Sequence, residues 1–172
     1  IALLFAAEGG KVVAADINVA LLKVLEEEIT NTGGIVTTIV ADMAKEEDID
    51  ELFNKAITSY GAVDVLVNNA GVMDQFDPVG DVNNSTWERV MAINVTGPFK
   101  AMRKAVQLML PAGKGSIVNI SSVGGLQGAR AGAAYTTSKH ALIGLTKNTG
   151  YMYAKKGIRC NAVAPGAMDT TI

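Results

Sequence analysis

Two side chains of this 172-residue chain, Tyr135 and Lys139, have the types and spacing of a proton-transfer pair. Residues four apart on a helix share a face, about one turn from each other. A free tyrosine titrates near 10 and is no base at neutral pH. A cation about 4 Å away at an effective dielectric of about 20 is worth roughly 4 kcal/mol, or about three pKa units. That is enough to bring a phenol into the range of general acid–base work. Many helices carry such a pair without using it, so its surroundings decide its meaning. Ser122, with Ser121 beside it, lies thirteen residues before Tyr135, and Asn94 lies twenty-eight before Ser122. A hydroxyl at a strand end can hydrogen-bond a substrate oxygen. Asn94 is expected in mid-helix, where a polar side chain competes with the backbone.

The elements that must position these groups alternate along the chain. Ile1 to Glu8 reads as the end of a helix stopped by Gly9-Gly10. The segment from Lys11 to Asp16 has the pattern of a strand buried on both faces that ends in a carboxylate. Asn18 is the expected N-cap of a helix through Thr30. Strands are then expected at Ile35 to Ala41, Val63 to Val67, Ser116 to Ile120 and Ile158 to Val163. Helices are expected at Asp48 to Tyr60, from a Ser85-Thr86 cap to about Leu110, and at Tyr135 to Lys155. Five apolar strands alternating with helices imply one domain over residues 1–172, with a parallel sheet covered by helices on both sides. In such sheets ligands sit beyond the carboxyl ends of the strands. The residues there are Asp16, Asp42, Asn68 to Gly71, Ser121-Ser122 and Pro165-Gly166.

Composition narrows the classes. Apolar residues make up 49% and charged residues 19%, which suits a globular chain with a core. The net charge of −2 comes without any basic run, which argues against a nucleic-acid partner. The longest apolar run, Ile1 to Ala7, falls far short of the roughly 20 residues that span a bilayer. Cys160 has no partner cysteine, and a cytoplasmic location is expected. His140 has no acidic or sulfur neighbour suited to ligation, and no metal site is expected. Cys160 reads as a small core residue and Trp87 as packing.

Asn94, Ser122, Tyr135 and Lys139 in this order and register, with Asn68-Asn69-Ala70-Gly71 upstream and Pro165-Gly166-x-x-x-Thr170 downstream, resemble the short-chain dehydrogenase/reductase family across essentially the whole chain. The resemblance implies a Rossmann-like doubly wound parallel sheet and hydride transfer between NAD(H) and an alcohol/ketone pair. By that likeness Tyr135 is the general acid/base and Ser122 orients the substrate oxygen, with Ser121 as its rival. Lys139 holds the nicotinamide ribose and lowers the Tyr135 pKa, and Asn94 holds a water for proton relay. Asp16 resembles a carboxylate that accepts the adenosine ribose hydroxyls and repels a 2′-phosphate, which favours NAD over NADP. Ile17, next to it, supplies no cation for that phosphate. Asp42 and Met43 resemble an adenine-contacting pair, and Asn68, Ala70 and Gly71 a cofactor-side loop that also ties strands together. Pro165, Gly166 and Thr170 resemble the segment at the carboxamide end of the nicotinamide. A solvated strand-end acid at Asp16, a loop acid at Asp42 and a plain turn at Pro165-Gly166 are the alternatives. The family assembles as dimers or tetramers through two long helices, here Thr86 to Leu110 and Tyr135 to Lys155.

The chain departs from the family pattern at both ends, so the expected sheet is incomplete at both. A glycine-rich strand-turn that would hold the pyrophosphate is not found, since Gly9-Gly10 closes a helix instead of opening one. Loss of that strand would open a gap of roughly 9 to 10 Å in mid-sheet. The substrate-closing helices would follow Ile172. The expectation is therefore a partial record of a longer enzyme, unstable or aggregation-prone in isolation.

Overall fold

The computed structural model describes residues 1–168. The elements run α1 (Ala2–Ala7), β1 (Lys11–Asp16), α2 (Val19–Asn31), β2 (Ile35–Val40), α3 (Glu46–Tyr60), β3 (Val65–Asn68), α4 (Asn84–Met91), α5 (Gly97–Ala112), β4 (Gly115–Ile120), α6 (Ala133–Tyr153) and β5 (Ile158–Val163). A π-helical turn, Ala92–Thr96, joins α4 to α5. Every strand pairing is parallel, and the chain divides into two compact units, Ile1–Val63 and the residues from Asp64 onward.

In the first unit β1 pairs with β2, from Lys11 opposite Ile35 to Asp16 opposite Val40. The connection is α2, whose first free N–H groups are met by the Asn18 side chain, which accepts from Ala20 and Leu21 at 3.0 and 3.1 Å. Glu46, Glu47 and Asp48 crowd the first turn of α3, where the helix dipole favours anions. Ile29, Ile49, Leu22 and Phe53 are buried and make the core of this unit. The strands are wetter than their sequence suggests: β1 and β2 have no fully buried residue. Both are edge strands of a two-stranded sheet, so neither has the central position for which their apolar runs are suited.

In the second unit the order is β3-β4-β5, with β4 central. Central position shows in burial, for Gly115, Ile117 and Asn119 of β4 are buried while β5 is exposed over its last half. Helices α5 and α6 supply Ala101, Met102, Ala105, Met109 and Leu142 to the core. A buried polar chain crosses it: Asn68 on β3 donates to Asn119 Oδ1 on β4 at 2.8 Å, and Asn119 donates to Thr146 of α6 at 2.8 Å. Each buried amide thus finds a partner, as burial demands.

Two expectations change. The helix expected from Ser85-Thr86 to Leu110 is capped earlier, by Asn83, whose Oδ1 accepts from Thr86 N at 2.8 Å and from the Ser85 hydroxyl at 2.7 Å. It is also interrupted by the π turn. Pro98 has no N–H to give the carbonyl of Asn94 four residues before it, and a proline ring crowds the carbonyl at that position, so a regular α-helical turn is disfavoured here. The last long helix begins at Ala133, two residues before Tyr135, and its final turn, Ala154–Lys156, tightens to 3₁₀.

Candidate active site

Tyr135 lies in the first turn of α6 and Lys139 one turn later, both almost fully buried. The Lys139 Nζ stands 5.5 Å from the Tyr135 ring centre and donates to the Ile120 carbonyl at the end of β4 at 2.9 Å. Burial pushes the Lys139 pKa down to about 8, because desolvation penalises the charged ammonium. Ile120 takes one of the three ammonium protons, which leaves donors for a ligand.

The two serines after β4 have different surroundings. Ser121 is buried and its hydroxyl donates to the Lys139 carbonyl at 3.1 Å. Ser122 is half-buried and its Oγ accepts from Gly124 N at 3.1 Å, so its own proton remains to be given. A methyl group placed on Gly124 would lie 3.5 Å from both Ser122 Oγ and the Tyr135 ring, so that hydroxyl and that ring flank one spot. Pro165 joins the same loop, its carbonyl accepting from Val123 N at 2.9 Å; Gly166 follows it, exposed. Thr170 lies outside the described residues.

Asn94 sits in the π turn, fully buried. Its Oδ1 accepts from Val72 N at 2.9 Å, and its Nδ2 donates to Val72 O at 2.9 Å and to Ser138 Oγ at 3.0 Å. Both amide protons are therefore spent on protein. Ser138 in turn donates to the Tyr135 carbonyl at 2.8 Å. In the loop after β3, Asn69 and Ala70 are exposed and Gly71 turns inward. A methyl on Gly71 would lie 3.3 Å from Lys139 Nζ and 3.4 Å from Asn94 Oδ1, a tight fit that places this glycine beside both side chains.

The sequence matches the short chain dehydrogenase family over residues 1–172. It is 38% identical to the 3beta-hydroxysteroid dehydrogenase 2 of Eggerthella lenta, over 98% of this chain and 65% of that protein. Among solved structures it resembles an NAD+-bound xylitol dehydrogenase (TM-score 0.93, 35% identity, 98% of this chain and 65% of that one). It also resembles an actinorhodin polyketide ketoreductase with NADPH (TM-score 0.95, 34% identity, 99% and 66%). The chain belongs to the short-chain dehydrogenase family. Its fold is accordingly the Rossmann-like α/β type, and the chain spans just under two thirds of the length of the curated relative.

The remaining residues expected to meet the cofactor lie in the first unit. Asp16 is exposed at the end of β1, where one carboxylate oxygen accepts from Asn18 N at 2.8 Å. Asp42 and Met43 are half-buried after β2, with Asp42 Oδ1 accepting from Ala44 N at 2.9 Å. His140 is exposed with Nδ1 2.9 Å from the Thr136 carbonyl, and no cluster suited to a metal exists among the described residues. Cys160 is half-buried with its thiol pKa pushed up to about 11 by burial, unsuited to nucleophilic work.

One residue beside Tyr135 escapes sequence reasoning altogether. Asp74 is buried, and its two oxygens accept from the backbone N–H groups of Phe76, Gly132 and Tyr135 at 3.1, 3.0 and 2.8 Å. The partners at the start of α6, its N-cap Gly132 and Tyr135, are 58 and 61 residues away in sequence, so no local pattern announces them.

Proposed function

We propose that this chain carries the acid–base centre of an NAD-dependent oxidoreductase that interconverts a small alcohol and its ketone. The observation that carries the reading is the buried Tyr135–Lys139 pair, with the Nζ 5.5 Å from the ring and anchored on Ile120. A nicotinamide, when bound, supplies or accepts the hydride. Tyr135 gives its phenolic proton to the carbonyl oxygen in reduction and takes the alcohol proton in oxidation. Ser122 orients that oxygen through its uncommitted hydroxyl proton. Lys139 favours the phenolate by its charge, and its remaining N–H groups suit ribose hydroxyls.

Asn94 has no amide proton left for a relay water. In the proposed relay such a water is placed at its backbone carbonyl, to which Pro98 brings no N–H. For the cofactor, Asp16 offers an exposed carboxylate to the adenosine ribose and Asp42 with Met43 a surface for adenine. Asn68, Ala70, Gly71, Pro165, Gly166 and Thr170 complete the proposed nicotinamide side. NAD rather than NADP follows from the negative charge at Asp16 with Ile17 beside it. The similar solved structures include both an NAD+-bound and an NADPH-bound protein. Exposed Phe99 on α5 and Tyr151 and Met152 on α6 suit the proposed dimer or tetramer contact through those helices.

The test is a screen of secondary alcohols and ketones with NAD(H) and NADP(H), followed by nicotinamide absorbance in the full natural protein. Turnover with NAD(H) that vanishes in Tyr135→Phe is expected. Cofactor binding without turnover on any substrate would favour a non-catalytic binding relative instead.

A further inference from the structure

Helix α6 starts without a cap of its own. Its N-cap is Gly132, which has no side chain to accept from the first turn. Those first amides have no partner within the helix and must find one elsewhere. Three of the four find it in a single segment from the loop after β3: Asp74 accepts from Gly132 N and Tyr135 N, and the Asp77 carbonyl accepts from Ala133 N at 2.9 Å. The segment is itself held. Asn94 bonds both backbone groups of Val72, Arg89 donates to the Met73 carbonyl at 2.9 Å, and Phe76 takes up the left-handed conformation at φ 64°. Gly132 is what lets the segment approach, since a methyl there would fall 2.6 Å from Asp74 Oδ2 and 2.7 Å from Asp77 N.

Three residues before Asp74 the same segment places Gly71 against Lys139. The turn that carries Tyr135 is thus gripped at its start by Asp74, and the same segment brings Gly71 close to Lys139 one turn later. We propose that Asp74 is a positioning residue for the reaction, acting through the backbone N–H of Tyr135 to fix where the phenol stands relative to Ser122 and Lys139. This rests on the acid–base reading of Tyr135 given above.

Asp74→Asn preserves volume but not chemistry. An amide has one acceptor oxygen, so either orientation turns an NH2 group toward a backbone N–H, of Tyr135 or of Phe76 and Gly132. The first turn must shift, and displacement of a reacting group by about 1 Å can cost on the order of 100-fold in rate. The experiment compares the full natural protein with Asp74→Asn and Tyr135→Phe, measuring kcat per cofactor-binding site and NADH affinity by nicotinamide fluorescence. For Asp74→Asn, a fall in kcat of about 10- to 100-fold with NADH affinity within about twofold is expected.

A kcat per binding site within about twofold of the parent would overturn the proposal, because a purely structural role changes the folded fraction and not the rate of each folded molecule. Should Asp74→Asn not fold, amide exchange in the unaltered protein decides. Protection of the Tyr135 N–H beyond that of a free first-turn amide supports the bond, and exchange at the unprotected rate overturns it. An active Tyr135→Phe would sink the acid–base reading and this proposal together. An inactive Tyr135→Phe beside an Asp74→Asn as fast as the parent would sink this proposal alone.

Discussion

At the scale of single residues, the two serines after β4 show how far spacing carries and where geometry takes over. Thirteen residues to Tyr135 favours Ser122 without excluding its neighbour, and both are hydroxyls at a strand end. Their hydrogen bonds separate them, since Ser121 spends its proton on the Lys139 carbonyl and Ser122 keeps its own. Ser122→Ala is therefore expected to cut kcat by about 100-fold or more, as loss of a group that meets developing charge does. Ser121→Ala should act mainly on stability, by about 1 kcal/mol, in a urea titration; the reverse ranking would exchange their roles. Lys139 gives a pH signature. Its folded pKa, about 8, lies below the unfolded 10.5, so between these values the unfolded chain binds more protons and stability rises with pH. Below about pH 8 the cost of the buried ammonium is fully present, on the order of 3 kcal/mol. Melts from pH 8 to 10 should show a rise that Lys139→Gln flattens, and an equal rise in that variant would contradict the assignment.

At the scale of elements, the strand pattern was legible because apolar β-branched runs punctuated by polar ends survive any packing detail. All five strands fall within two residues of their expected limits, and β1 and β5 match them. The π turn at Ala92–Thr96 was not legible, since apolar periodicity hardly registers one extra residue, although Pro98 held the physical cause in view. Nor was the grip of Asp74 on α6, because a cap supplied from 58 residues away leaves no short-range signature. The Asn68–Asn119–Thr146 chain joins β3, β4 and α6 through a buried core. Asn119→Leu should destabilise the protein by about 2 to 3 kcal/mol, since it strands the partners of both bonds without water. Chemical denaturation measures this, and a loss under about 0.5 kcal/mol would show that the chain adds little.

At the scale of the whole molecule, the chain divides into a unit built on β1 and β2, which holds Asp16 and Asp42, and a unit built on β3, β4 and β5, which holds Tyr135 and its partners. The proposed chemistry belongs to the second and the proposed nucleotide choice to the first. Asp16→Ser, which removes a charge from the first, is expected to raise NADPH affinity about tenfold or more relative to NADH, as relief of repulsion with a phosphate dianion requires. Titration of both cofactors by nicotinamide fluorescence reads the ratio, and an unchanged ratio would remove Asp16 from cofactor choice. The family likeness was legible because most of its motif residues lie at the ends of strands or on one face of α6, where type and spacing can be read without knowing the packing. The measurement that bears most directly on the central claim is the pH dependence of kcat in the full natural protein beside Tyr135→Phe, with NADH affinity followed in both. The expected result is a pH-dependent kcat in the parent, loss of turnover by about 1,000-fold or more in the variant, and unchanged NADH affinity. A Tyr135→Phe protein that turns over within about tenfold of the parent, with the same pH profile, would contradict it.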